Sequence, residues 1–201
     1  MTLSDKDVRL IRLSAGIALG AWESVRALRR AAPSGEPDRA WREIVLQSHL
    51  FAGFPRAVEV CEVLAGEGGL GTPDTDETLP QGDRFDAGRE LFERVYARRA
   101  SDVRAVLKGY HPTLERWIEG HAYGRVLARP GLGADRRELA AVAALAALDQ
   151  DRQLASHVRG AIHCGATEEE VTATIEATLD LLGEARARRA QRVIDRFLKR
   201  D

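Results

Sequence analysis

Residues 136–171 read RRELAAVAALAALDQDRQLASHVRGAIHCGATEEEV, and this run contains two helical patterns separated by a turn at 149–151. The second pattern ends at Gly165, and Thr167 with Glu170 forms the capping box of a further helix. The first is rich in alanine, as expected for a closely packed core helix. Its larger apolar residues follow helical spacing: Leu139, Val142, Leu145 and Leu148.

Apolar residues at helical spacing continue on both sides of this run. Asp38 is predicted to cap a helix that begins after it, and Gly183 to separate the helix following Thr167 from the last one. No segment alternates in the manner of a half-buried strand, so the sequence predicts an all-α fold. The further predicted helices span 5–31, 39–51, 55–66, 85–108, 113–128 and 184–199.

Residues 66–83 read GEGGLGTPDTDETLPQGD and interrupt the helical patterns. Glycine, proline and acidic residues at this density predict an exposed linker or mobile loop. The chain is therefore divided into an N-terminal helical domain at 1–65, a linker at 66–83 and a C-terminal helical domain at 84–201.

The N-terminal domain resembles part of the C-terminal one. At an offset of 130 residues, 38–64 aligns with 168–194 and pairs Gly53 with Gly183, and an offset of 129 aligns Leu10–Leu19 with Leu139–Leu148. This similarity predicts that residues 1–65 are a partial second copy of the C-terminal domain.

Composition excludes several classes of function. The 201 residues carry 30 basic and 31 acidic side chains, a formal net charge of -1, so no overall positive field would hold nucleic acid or an anionic membrane. No apolar run reaches the roughly 18 residues of a membrane span. The start MTLSDKDVRL lacks the apolar core of a signal peptide, and Cys61 and Cys164 lie far apart. These features predict a cytoplasmic protein without a disulfide framework.

Glu138 and His157 are the first candidates for chemistry. They lie on consecutive helices joined by a short turn, at levels that differ by about 8 Å, which two side chains or a bridging water could span. A glutamate beside an imidazole orients the ring for proton transfer near neutral pH. Alternatively, Glu138 only favours the start of its helix and His157 is an ordinary half-buried histidine. The spacing by itself favours this second interpretation.

Three further residues could contribute to a pocket. Arg129 precedes a Pro-Gly turn, where its guanidinium could clamp a carboxylate or only favour a helix C-terminus. His121 and Tyr123 follow Trp117 on one predicted helix, and they could line a small pocket or belong to the core. His49, among apolar neighbours, is interpreted as a buried neutral or edge histidine.

The sequence contains no recognisable metal or nucleotide motif. Its five histidines include no HExxH or HxxEH spacing, and no CxxC pair occurs. Phosphate loops and the GxSxG elbow are also missing from the sequence. We therefore expect no metal and no cofactor.

Residues 110–171, from YHPTLERW to GATEEEV, resemble the core of the carboxymuconolactone decarboxylase family, which includes the alkylhydroperoxidase D proteins. The similarity begins near 85–89 (FDAGR), covers about 118 residues, and passes through RPGL at 129–132, REL at 137–139 and LASH at 154–157. It implies an alkylhydroperoxidase D-like helical bundle and a homo-oligomer.

The resemblance also implies roles for individual residues. Arg129 would bind the carboxylate of a small cyclic lactone or keto acid, and His157 would move a proton as carbon dioxide leaves. Glu138 would orient His157. We also expect three residues to contribute to substrate binding: His121, Tyr123 and Gln153.

The alkylhydroperoxidase motif places two cysteines between the glutamate and the histidine. Here those positions fall on Gln150 and Gln153, and glutamine cannot act as a peroxidatic or resolving thiol. Cys164 follows His157 by seven residues; we expect it close to the opposite face of the helix, as a buried structural thiol. A peroxide or disulfide reductase is therefore disfavoured, whereas a non-catalytic binding or assembly module stays open.

Overall fold

The computed structural model describes residues 2–78 and 84–198. Every regular element in these ranges is a helix, so the prediction of an all-α fold is confirmed. The helices are α1 (Asp5–Leu19), α2 (Trp22–Arg30), α3 (Asp38–Ala65), α4 (Thr75–Thr78), α5 (Phe85–Tyr96), α6 (Ala100–Tyr110), α7 (Pro112–Trp117), a π-helical segment (Ile118–Leu127), α8 (Ala134–Ala147), α9 (Asp151–Cys164), α10 (Glu168–Glu176) and α11 (Leu179–Leu198). No helix in these ranges is long and apolar enough to cross a membrane.

The alanine-rich helix α8 lies at the centre of the bundle. Its residues 137–147 are all buried, and α1, α3, α9, α10 and α11 all contact it. Alanine has high helix propensity and a small side chain, so several helices can approach one segment closely. The sequence-based interpretation of this segment as a core helix is confirmed.

The N-terminal and C-terminal parts of the chain share their apolar core. Ile11 and Ala15 of α1 belong to the same buried cluster as Leu139 of α8. In addition, the Ser14 hydroxyl donates a hydrogen bond of 2.8 Å to the carbonyl of Ala140. The division into domains at 1–65 and 84–201 stays a prediction, but α1 packs directly on the central helix of the second domain.

The segment expected to be an exposed linker is anchored at one point. Glu77 in α4 is buried and accepts hydrogen bonds of 2.9 and 2.7 Å from Arg42. The expectation of exposure is therefore wrong at Glu77, although residues 71–76 are exposed. The part of the predicted linker at 79–83 lies outside the described residues.

Several predicted helix boundaries needed correction. The single helix expected over 5–31 is two helices, because Gly20 has a φ of 67° and ends α1. Asp38 is the first residue of α3 rather than its cap, which is Pro37, and the Asp38 carboxylate instead pairs with Arg29 at 2.7 Å. The long pattern 85–108 breaks at Ala97, whose φ is 47°.

The predicted interruptions at two glycines are confirmed as kinks within longer helices. Gly53 has φ 81° and ψ 164° inside α3, and Gly183 has φ 72° and ψ 159° inside α11. Glycine populates this region because it lacks a Cβ. The proposed internal repeat pairs these two positions, and their similar conformations agree with it; the repeat itself stays a prediction.

Candidate active site

The structure brings Glu138 and His157 together. Nδ1 of His157 donates to Oε2 of Glu138 at 2.8 Å, with side-chain exposures of 13% for the histidine and 3% for the glutamate. The helices α8 and α9 lie side by side because the chain reverses at Asp149, whose φ is 57°. Within the described part of the chain, Nε2 of His157 has no hydrogen-bond partner, so this nitrogen is available to exchange a proton with a ligand.

Phe51 and Gly160 hold this pair in place. The Phe51 ring meets the His157 ring edge-on, with 5.5 Å between centroids. At Gly160, one turn beyond His157, a Cβ would lie 2.5 Å from Oε2 of Glu138 and 2.9 Å from Val95. Only glycine leaves room for the carboxylate in this position. The sequence did not point to Gly160, because its role depends on the Glu138 side chain from another helix.

Tyr96 and Tyr123 form a buried polar pair near the same carboxylate. Their side chains are hydrogen-bonded to each other, and Tyr123 is only 3% exposed. Burial raises the pKa of both hydroxyls, and the negative charge of Glu138 adds to the effect. Both tyrosines therefore stay protonated at neutral pH and can act as hydrogen-bond donors.

Cys164 is buried, as expected, but its predicted position on the helix was wrong. Seven residues make almost two full turns at 100° per residue, so Cys164 and His157 lie on similar faces of α9. Burial raises the pKa of the Cys164 thiol to about 12, and the charge of Glu138 contributes. The thiol is therefore neutral at physiological pH and a poor nucleophile.

His157 borders a cavity of about 1,920 Å³. Three other residues from the sequence-based set, His121, Tyr123 and Gln153, also line this cavity. Glu138 lies behind His157 and does not line it. The cavity thus exposes the histidine to a ligand while its carboxylate partner is kept from solvent.

Arg129, in contrast, is not among the residues that line the cavity. Its Nε and Nη2 groups donate to Glu43 at 2.9 to 3.2 Å, and Arg137 donates to the same carboxylate at 2.7 Å. Glu43 is fully buried. We therefore correct the expected role of Arg129: its guanidinium neutralises a buried glutamate, so it cannot also clamp a substrate carboxylate beside His157.

His121 lies at the rim of the cavity with His49. Their Nε2 atoms are 2.8 Å apart, and the His49 ring stacks on Phe54 at 4.6 Å between centroids. Burial lowers the pKa of His121, and the neighbouring charges of His49 and Arg125 lower it further. The lowered pKa favours the neutral form of the His121 ring.

No group of three or more histidine, cysteine or acidic side chains suited to a metal ion occurs in the described ranges. The positions where the alkylhydroperoxidase motif has cysteines, Gln150 and Gln153, are exposed on the cavity wall.

Comparison with known proteins agrees with the resemblance seen in the sequence. Residues 112–196 match the model of the carboxymuconolactone decarboxylase family. This segment is similar to that family. It contains Arg129, Glu138 and His157, and it begins later than the boundary at 84 expected from the sequence. The matched segment thus supplies the histidine and the glutamate, while Phe51 comes from outside it.

The chain is also similar to Peroxisomal protein 2 of Schizosaccharomyces pombe. The two sequences are 27% identical over 163 residues, which cover 79% of this chain and 75% of that protein. The similarity therefore extends beyond the matched segment 112–196.

Proposed function

We propose that the protein is a carboxy-lyase that acts on a lactone or keto acid, with His157 as the proton-transfer residue. The observation that carries the proposal is the hydrogen bond of 2.8 Å from His157 Nδ1 to Glu138, made by a ring that borders the cavity. The carboxylate at Nδ1 fixes the tautomer and stabilises the ring when Nε2 takes up a proton.

The reaction needs one proton at one carbon atom. When the bond to the carboxylate carbon breaks, carbon dioxide leaves and the electron pair passes into the conjugated carbonyl group as an enolate. The Nε2–H of a protonated His157 then donates its proton to the carbon that carried the carboxylate. Glu138 acts as a positioning residue, because it contacts His157 and does not line the cavity.

The experiment is a screen of small lactone acids and keto acids for carbon dioxide release. His157→Ala is expected to lower kcat by about a hundredfold to ten-thousandfold, the usual contribution of general acid–base catalysis. Glu138→Gln should cost about tenfold to a hundredfold, as for other residues that orient a functional histidine. His111→Ala, at an exposed histidine outside the cavity, is the control and should retain the activity of the parent.

Thermal unfolding of each variant separates loss of chemistry from loss of fold. Truncation of a partly buried histidine should cost about 1 kcal/mol. Equal turnover by the parent and His157→Ala would remove the proposed role of His157 and leave a non-catalytic module as the better interpretation.

A thiol-dependent peroxide reductase is not proposed. The motif positions carry Gln150 and Gln153, and the buried Cys164 thiol has a pKa of about 12. Cys61 is exposed, and burial of part of the side chain raises its pKa as well. Neither thiol has the depressed pKa that peroxidatic cysteines require.

A homo-oligomer is the second proposal, and it is compatible with catalysis or with a purely structural role. It is supported by apolar side chains that lie exposed outside the cavity: Leu46 at 45%, Val58 at 58% and Leu179 at 47%. Association of two copies would remove such side chains from water.

The location in the cell and the absence of nucleic-acid partners also remain predictions. The sequence predicts a cytoplasmic protein, whereas the relative from Schizosaccharomyces pombe is named a peroxisomal protein. Microscopy of a fluorescent fusion with a peroxisomal marker would distinguish the two locations.

A further inference from the structure

From the charge and the size of the cavity, we infer that its ligand is an amphipathic carboxylate: a carboxylate group on an extended apolar body, held by arginines of α11 and α9. This inference rests on the proposed function, since it names the class of substrate for the same cavity. The argument uses the size of the cavity, the chemistry of its walls and the placement of its charges.

The cavity has room for a ligand larger than a small lactone acid. Its volume of about 1,920 Å³ exceeds the roughly 300–1,000 Å³ of ordinary ligand pockets. Large apolar side chains form its walls, including Phe54, Val106 and Trp117, all of which are exposed when the cavity is empty. Burying these surfaces against an apolar ligand would remove them from water, which favours binding.

The charged residues that line the cavity are mainly basic, although the whole chain has a formal net charge of -1. Three acidic residues line it: Asp102, Asp151 and Glu168. Seven arginines do so: Arg98, Arg99, Arg152, Arg159, Arg189, Arg192 and Arg196. The cavity therefore favours an anion over a neutral or cationic ligand of the same shape.

Arg192 and Arg196 are placed best to receive the anion. They are four residues apart on α11, so their side chains are neighbours on one face of the helix, where like charges repel. Neither has an ion-pair partner among the described residues, and both are exposed, whereas Arg189 on the same face pairs with Asp151 at 2.8 Å. A carboxylate between the two guanidinium groups would accept paired hydrogen bonds and relieve the repulsion.

Arg152 of the neighbouring helix α9 reinforces this choice. It lies in the first turn of α9, lines the cavity and is exposed without an ion-pair partner in the described ranges. On the same helix, His157 lies five residues further along. A ligand carboxylate at the arginines and an apolar body along the walls would thus share the cavity with the proton-transfer residue.

The test uses dodecanoate, below its micelle concentration, as the probe. Its affinity is measured by calorimetry for the parent, for Arg192→Gln/Arg196→Gln, and for the control Arg186→Gln/Arg188→Gln. The control removes the same charge from the same helix at residues that do not line this cavity. The first pair of substitutions should weaken binding at least about tenfold, because charge-assisted hydrogen bonds are lost, and the control less than about twofold.

Two matched ligands separate the charge from the apolar body. Dodecanol keeps the chain without the carboxylate, and acetate keeps the carboxylate without the chain; both should bind more weakly than dodecanoate. Trp117 supplies an independent signal, since it is 67% exposed and lines the cavity, whereas Trp41 is fully buried. Dodecanoate should shift tryptophan emission to shorter wavelength in the parent, and the shift should be lost in Trp117→Phe.

The outcomes distinguish this inference from the proposed function. Equal affinity for dodecanoate and dodecanol, or equal affinity of the parent and the α11 variant, would overturn the inference. So would a Trp117 signal that follows protein concentration alone, which would mean that a second copy of the chain fills the cavity. If turnover is normal but dodecanoate does not bind, only this inference is contradicted. If dodecanoate binds but His157→Ala leaves turnover unchanged, only the proposed function is contradicted.

Discussion

At the scale of single residues, the geometry of the candidate site depends on one glycine. Gly160 has no Cβ, and the Glu138 carboxylate occupies the space that a methyl group would fill. The carboxylate reaches His157 from there at 2.8 Å. Positioning residues of this kind leave no motif, since a glycine in a helix usually marks only flexibility or close packing.

Replacing this glycine should therefore impair chemistry more than folding. In Gly160→Ala the new methyl group would lie 2.5 Å from Oε2 of Glu138, so the carboxylate must move and its bond to His157 must lengthen. We expect turnover to fall about tenfold to a hundredfold and the pH–rate profile to change. The control is Gly109→Ala, where no atom lies within 4 Å of the new Cβ and helix propensity should raise stability by about 1 kcal/mol. Parent-like kinetics in Gly160→Ala would show that the glycine has no positioning role.

At the scale of elements, ion pairs attach the loop before α5 to the bundle. Glu77 of α4 pairs with Arg42 of α3, and hydrogen bonds from that guanidinium lower the pKa of the carboxyl from 4.5 to about 2. A carboxyl whose pKa is lower in the folded state stabilises the fold above its unfolded pKa. That stability is lost as the pH falls from about 4.5 to about 2.

The pH dependence of this attachment can be measured by urea unfolding. At pH 7, Glu77→Gln should be less stable than the parent by on the order of 2 kcal/mol, and the difference should shrink as the pH falls toward 2. The neighbouring variant Asp76→Asn serves as control, because its 2.6 Å pair with Arg39 is largely exposed and should contribute about 0.5 kcal/mol or less. A difference that stays constant from pH 7 to pH 2 would contradict the pKa shift.

At the scale of the whole molecule, the buried charges join distant parts of the chain. Glu43 of α3 pairs with Arg129 and Arg137, which lie 86 and 94 positions further along the chain. A carboxylate this deeply buried is tolerated because two guanidinium groups neutralise it. Arg129 pairs with Glu43 and does not line the cavity. This buried ion pair therefore affects which residues form the candidate site.

The exposed apolar surface should make the protein a homo-oligomer. Light scattering over a dilution series is expected to show a species larger than one chain at micromolar concentration, held together by burial of residues such as Val58. Val58→Glu, which does not line the cavity, should shift the species toward the monomer, because a charge in an apolar contact is costly. The exposed position Glu62→Gln is the control and should leave the mass unchanged. A parent that is monomeric at every concentration would exclude the proposal.

The features that the sequence could predict depend on interactions between residues close together in the chain. The core helix α8, the Gly165 stop and the Thr167–Glu170 capping box depend on residues within one or two turns of each other, and all are present. Glu138 and His157 are only 19 residues apart on two helices joined by a short turn, so their contact was within reach of the same reasoning.

The sequence by itself thus determined the helical class and the central helix, and the pairing of Glu138 with His157 was expected only from the family resemblance. Tertiary structure alone decided that Arg129 pairs with Glu43, that Glu77 is buried against Arg42 and that His49 meets His121. These contacts join residues 35 to 86 positions apart, so helical periodicity contains no information about them. The physical reason is that side-chain pairing across helices depends on the three-dimensional packing of their faces, whereas capping and helix formation depend on neighbours along the chain.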